Sequence, residues 1–126
     1  MEHKNTEVIL NTFIYVKTQF VGLHYWKEAP YLVQFLRHPH RHIFHVTATF
    51  QVFNNNNREL EFFMMKERIN RCIKKTYFDR EEPIITEESC EMIAQNIFEY
   101  LQLGALLVIR VEVSEDGENG AIVIKS

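Results

Sequence analysis

Apolar and polar residues change period along this chain, and each period predicts an element. Residues 7–26 are dense in β-branched and aromatic side chains, among them Val8, Ile9, Thr12, Phe13, Ile14, Tyr15, Val16, Phe20 and Val21. Such residues suit a pleated, half-buried surface, so the segment predicts one long strand or two short ones. Residues 29–39 hold Pro30 and Pro39 without sustained alternation, which predicts a loop with a helical turn at 31–36. From His42 onward, Phe44, Val46, Ala48, Phe50 and Val52 alternate with His45, Thr47, Thr49 and Gln51. Period two with one apolar face predicts a half-buried antiparallel strand, ended by the asparagine run at 54–57.

The period then lengthens. Phe62, Met65, Ile69 and Ile73 recur every three or four residues, with Lys66, Arg68, Asn70 and Lys74 between them, predicting an amphipathic helix over 62–77. Pro83 breaks an acidic stretch. Thr86 or Ser89 can cap a second helix, in which Ile93, Ile97 and Leu101 share a face and which Gly104 stops. Residues 106–113 and 121–125 read as strands joined by a hairpin loop, Asp116-Gly117-Glu118-Asn119-Gly120. Leu107, Ile109, Val111 and Val113 share one register, with Arg110 and Glu112 on the other. The sum is an α+β domain with helices covering one face of a mainly antiparallel sheet.

Composition narrows the functional classes. A chain of 126 residues, 46% hydrophobic and 25% charged, fits a single domain over 1–126. A net charge of −3 argues against a nucleic-acid partner, which needs a basic face. No apolar run approaches the roughly 18 to 20 residues that span a bilayer, so no membrane partner is expected. Met1–Thr6 are polar without a signal-peptide core. Cys72 and Cys90 follow no metal or redox spacing, and a cytoplasmic location is expected. The dispersed glycines form no phosphate-binding loop.

The chemistry concentrates in histidine. His38, His40, His42 and His45 fall within a short stretch. His40 and His42, two apart where the strand pattern begins, project to one side and can meet one metal ion. Zinc takes neutral imidazole nitrogens, and a catalytic site uses three protein ligands with an open fourth position. His24, at the end of the first strand region, is the candidate third ligand. Solvated or packed histidines are the alternative for all three, and the expected state of His38 and His45. Glu115 continues the register of Val111 and Val113, either as an inward acid needing a partner or as a solvated loop residue. Cys90 sits where a helix dipole lowers a thiol pKa, with a buried, inert thiol as the alternative.

Together these positions resemble the 6-pyruvoyl-tetrahydropterin synthase and 6-carboxytetrahydropterin synthase family. The matching motifs are Phe20 to His24, His40-Arg41-His42 followed by Phe44 and Val46, Glu61-Phe62 with Lys66, Ser89-Cys90-Glu91 with Ala94, and Glu115 followed by Gly120-Ala121-Ile122-Val123. The resemblance implies a tunnelling fold, with a four-stranded antiparallel sheet, two helices on one face and pockets between subunits. It implies a homo-oligomer, commonly a hexamer of two trimers. It further implies zinc on His24, His40 and His42, and a pterin-like small molecule held by Glu115, Ser89 and Cys90. The implied activity is a lyase acting on 7,8-dihydroneopterin triphosphate, in pterin or queuosine-type biosynthesis.

The family's proton-transfer residues are altered. Its catalytic cysteine falls near Leu36, and its Asp-His pair reads Asp79-Arg80, leaving Asp79 as the remaining catalytic candidate. Arginine stays protonated at neutral pH and cannot shuttle protons. Arg41 replaces the usual middle glycine of the H-x-H motif. A homologue that binds a pterin- or purine-like ligand without turnover is therefore the alternative expectation.

Overall fold

The structure, a computed structural model, describes residues 8–54, 57–79, 82–83, 85–104 and 106–126, with the backbone only at 79, 82 and 83. Among these, β1 (Thr12–His24) leads through a 3-10 helix (Tyr31–Arg37) to β2 (His40–Val52). Then come α1 (Phe62–Tyr77), β3 (Phe78–Asp79), β4 (Glu82–Pro83), β5 (Ile85–Thr86), α2 (Cys90–Leu103), β6 (Val108–Glu115) and β7 (Asn119–Ile124). β1 and β2 pair antiparallel along their whole length, from Thr12 opposite Val52 to His24 opposite His40. β6 pairs antiparallel with β2, and β7 with β6.

These four long strands match the expected antiparallel set, but the sheet has a fifth. Its order is β5-β1-β2-β6-β7, and β5 runs parallel to β1, with Leu23 opposite Ile85 and His24 opposite Thr86. The four-stranded, wholly antiparallel expectation is thus corrected to a five-stranded mixed sheet. A two-residue strand carries no readable alternation, which is why the pattern missed it. β3 and β4 form a separate two-stranded ladder.

Both helices lie on one face. α1 buries Met65, Ile69, Cys72, Ile73 and Tyr77, and α2 buries Cys90, Ile93, Ala94, Ile97, Phe98 and Leu101. They meet Val16, Phe20, Phe44, Val46, Ala48, Phe50, Val111 and Val113 in one core. The caps are local. The Glu61 carboxylate accepts from the backbone N–H groups of Phe63 and Met64, and Ser89 Oγ accepts from Met92 N–H. No helix among the described residues is long and apolar enough to cross a membrane.

The register expected for β6 changes part-way along the strand. Thr49 pairs with Arg110, but Phe50 pairs with Val108, an irregularity that inserts Ile109 into the ladder. An extra residue reverses the facing of everything before it. Val108 is consequently buried, and Leu107 and Ile109 do not share the inward register expected for them. The strand also runs on to Glu115.

Gly22 sets a close contact beneath the His24 end of β1. A Cβ there would lie 2.9 Å from Cε2 of Phe44, a ring that stacks on Phe20 at 5.2 Å and meets His24 edge-on at 5.1 Å. Gly22→Ala is expected to displace that ring and to destabilise the fold by about 1–3 kcal/mol, the usual cost of overpacking. Chemical denaturation of the two proteins measures it, and an unchanged midpoint would contradict the contact.

Candidate metal centre and pocket

On β1 and β2 the even-numbered residues face the helices, as the buried Val16, Phe20, Phe44 and Val46 show. His24, His40 and His42 continue that series past the last core phenylalanines. Cross-strand pairing puts His24 opposite His40, and the ring centroids of His24, His40 and His42 lie 4.6 to 5.2 Å apart. From β6, Glu115 pairs with Phe44 on the register of Val111 and Val113, so its carboxylate arrives from the other side. His24, His40, His42 and Glu115 each offer a donor atom within 4.8 Å of the others, a group able to hold a metal ion.

Each histidine presents the same nitrogen inward. Nδ1 of His24 bonds the Glu88 carbonyl at 3.0 Å, Nδ1 of His40 the His38 carbonyl at 2.9 Å, and Nδ1 of His42 the Asp116 carboxylate at 2.7 Å. All three partners are acceptors, so in the neutral ring Nδ1 carries the hydrogen and the Nε2 lone pair is left for a cation. Outer partners of this kind fix ring orientation at metal sites and raise ligand basicity. Burial, the largest influence, holds His24 below its ordinary pKa of 6.5, partly opposed by its bond to Glu88 and by the Glu115 charge. The neutral ring that a metal requires is therefore favoured there.

The outer partners are themselves anchored. The Glu88 carboxylate accepts from Asn96 and from the Thr86 hydroxyl, which ties the loop before α2 to α2 itself. Asp116 occupies the turn between β6 and β7. Glu118 N–H donates to the Glu115 carbonyl at 2.9 Å, and Asp116 and Gly117 have φ of 55° and 73°, so Asp-Gly forms the tight hairpin turn with positive φ at both central positions. The other Asp116 oxygen accepts from Ile43 N–H at 2.8 Å. The bonds from His42 and Ile43 hold the Asp116 carboxyl below the usual range.

Beside this group is a pocket of about 310 Å³. Its walls include His24, His40, Glu115, Trp26, Leu36, Ser89 and Cys90. The structure thus brings together all three expected metal ligands and all three expected ligand-binding residues. Ser89 Oγ is engaged in capping α2. Cys90 is buried, and desolvation with the nearby Glu115 and Glu91 charges pushes its thiol up to about 12, overriding any lowering by the helix. It is a protonated thiol at neutral pH and donates to Glu115 Oε1 at 3.8 Å. Leu36 faces the pocket where the family's cysteine was expected. The side chain of Asp79 and all of Arg80 lie outside the described residues. His38 offers only its carbonyl, and His45 takes no part in the metal-holding group.

Asp116 and Glu88 were missed by the sequence reading. Asp116 had a signal, the Asp-Gly turn directly after Glu115. Glu88 contributes a backbone carbonyl, which no side-chain pattern reveals.

Two outcomes follow. Asp116→Gly keeps a residue tolerant of positive φ but removes the carboxylate, so the affinity of the histidine group for a divalent metal ion is expected to fall about 10- to 100-fold with the hairpin intact; chelator competition measures it. His24 binds its proton more weakly folded than unfolded, so below 6.5 the unfolded chain takes up a proton that the native site resists. The metal-free protein therefore loses this contribution on acidification, and His24→Gln is expected to lack that loss in denaturation midpoints taken across the range.

Comparison with solved structures supplies the relatives. The fold matches Caenorhabditis elegans 6-pyruvoyl tetrahydropterin synthase with a TM-score of 0.69 at 11% identity, covering 94% of this chain and 98% of that one. It matches an uncharacterized protein from Wolinella succinogenes with a TM-score of 0.69 at 16% identity, covering 94% and 100%. It matches Plasmodium falciparum 6-pyruvoyl tetrahydropterin synthase with a TM-score of 0.65 at 18% identity, covering 91% and 98%. No family model matches the sequence, and no curated protein matches it. At these identities the agreement is one of architecture, and it meets the resemblance drawn from the short motifs: the chain has the fold of the 6-pyruvoyl tetrahydropterin synthases.

Proposed function

We propose that this protein is a divergent, zinc-dependent member of the 6-pyruvoyl/6-carboxytetrahydropterin synthase family that binds a pterin in the pocket beside its histidines and acts as a lyase on 7,8-dihydroneopterin triphosphate. The observation that carries the reading is the set of three imidazoles, each tied at Nδ1 and converging through Nε2 at one end of a sheet with the synthase fold. His24, His40 and His42 would hold the metal, which when bound supplies Lewis acidity toward substrate oxygens and lowers the pKa of hydroxyls.

The chain's own residues supply binding and position. Glu115 reaches the pocket with an acceptor pair suited to the amino and ring N–H edge of a pterin. Trp26 and Leu36 offer apolar surface to a flat heterocycle. Ser89 and Cys90 close the pocket at the start of α2. In a homo-oligomer, which we infer from the same fold, a neighbouring copy completes the mouth.

One observation favours a second reading, binding without turnover. Proton transfer needs a group that changes protonation near the working pH. Leu36 has no such group, and the Cys90 thiol at about 12 stays protonated. Incubating the zinc-loaded protein with 7,8-dihydroneopterin triphosphate, with mass analysis of the products, separates the readings. Release of triphosphate with a new pterin product is the expected result. Tight binding with unchanged substrate would establish the second reading, and a protein that takes up neither zinc nor pterin would overturn both.

A further inference from the structure

Glu115 makes contacts that pterin recognition does not explain. Its Oε2 lies 2.8 Å from His42 Nε2 and 3.7 Å from His24 Nε2. On His42 the other nitrogen already donates to Asp116 at 2.7 Å. A neutral imidazole has one N–H, so the lone pair of Nε2 then faces a carboxylate oxygen at hydrogen-bond distance. Two acceptors in that arrangement repel unless a proton on Nε2 or a metal cation stands between them. Zinc with bonds of about 2.0–2.2 Å to nitrogen and oxygen sets its donor atoms roughly 3.3–3.5 Å apart, and the two observed separations bracket that value.

The second carboxylate oxygen has a separate duty. Oε1 accepts from the Cys90 thiol at 3.8 Å, so the two oxygens face different partners and only Oε2 points at the imidazoles. A protonated thiol suits this task, because it donates to the carboxylate without competing for the metal. Cys90 is thus a positioning residue for Glu115.

From this we infer that Glu115 is the fourth ligand of the metal when the pocket holds no substrate, so that the resting centre is closed by three histidines and a carboxylate. The inference rests on the metal reading above. It gives Glu115 two mutually exclusive tasks: a heterocycle that takes its carboxylate also uncovers the metal. The pocket then exposes a coordination position only as it fills, and the resting metal is shielded from water and other small ligands.

The test is zinc affinity by chelator competition, together with the visible absorption of the cobalt(II)-substituted protein, on wild type, Glu115→Gln and Glu115→Asp. The Glu115 side chain is 31% exposed, which favours folding of both variants, and circular dichroism confirms it. Both variants are expected to lose about tenfold or more in zinc affinity and to change the cobalt spectrum, since Gln is a poor ligand and Asp falls short. If Glu115→Asp retains wild-type affinity and spectrum while Glu115→Gln loses affinity, the carboxylate acts through its charge and the inference is overturned. Unchanged behaviour of both variants also overturns it while leaving the three-histidine site standing. A wild-type protein that binds no zinc, with His24→Ala indistinguishable from it, would remove the metal reading itself.

Discussion

The antiparallel pairing of β1 with β2 is the constraint on which the rest of the structure depends. Side chains alternate along a strand, so one register buries Val16, Phe20, Phe44, Val46, Ala48 and Phe50 and also turns His24, His40 and His42 to the same face. A slip of one residue would put the apolar set in water and scatter the imidazoles to the opposite side. Core stability and site geometry are therefore specified together.

Convergence of the rings needs more than register, because an imidazole on the right face can still present either nitrogen. Three different parts of the fold settle that choice: the loop before α2 through the Glu88 carbonyl, the link between the 3-10 helix and β2 through the His38 carbonyl, and the β6–β7 turn through Asp116. The last of these is costly locally, since Asp116 holds a positive φ that L-residues seldom adopt. Its two carboxylate bonds, to His42 and to Ile43 of β2, offset that cost. A hairpin turn remote in sequence from the histidines thereby orients one of them.

Much of this was legible in the sequence, for reasons specific to each element. The alternation from Phe44 to Val52 survives as an uninterrupted inward series because β2 is central and paired on both sides. The spacing of Met65, Ile69 and Ile73, and of Ile93, Ile97 and Leu101, survives because each helix buries one stripe. The bulge at Ile109 was not legible: a run of apolar residues fits either facing, and only the pairing of Phe50 with Val108 selects one. β5 was hidden by its length. For Glu115 the residue pattern alone favours a solvated loop acid over an inward one, because the choice turns on whether β6 ends before or after it, and β6 runs on to Glu115.

The pocket's electrostatics place a demand on the proposed substrate. Glu87, Glu88, Glu91 and Glu115 all line it, and its lining among the described residues includes no lysine or arginine. Carboxylates suit the N–H edge of a pterin but repel phosphate, and without a cation nearby a triphosphate chain in this pocket would be disfavoured. A triphosphate substrate must therefore lie with its heterocycle inward and its phosphates outside this lining, against positive groups supplied from elsewhere. Arg41 is exposed and alternates with His40 and His42, so it projects from the opposite face of β2, away from its own pocket. On the synthase reading the phosphates therefore need cations from outside this lining, whether from this chain's own surface beside it, where Lys27 and Arg37 flank Trp26 and Leu36, or from a neighbouring copy.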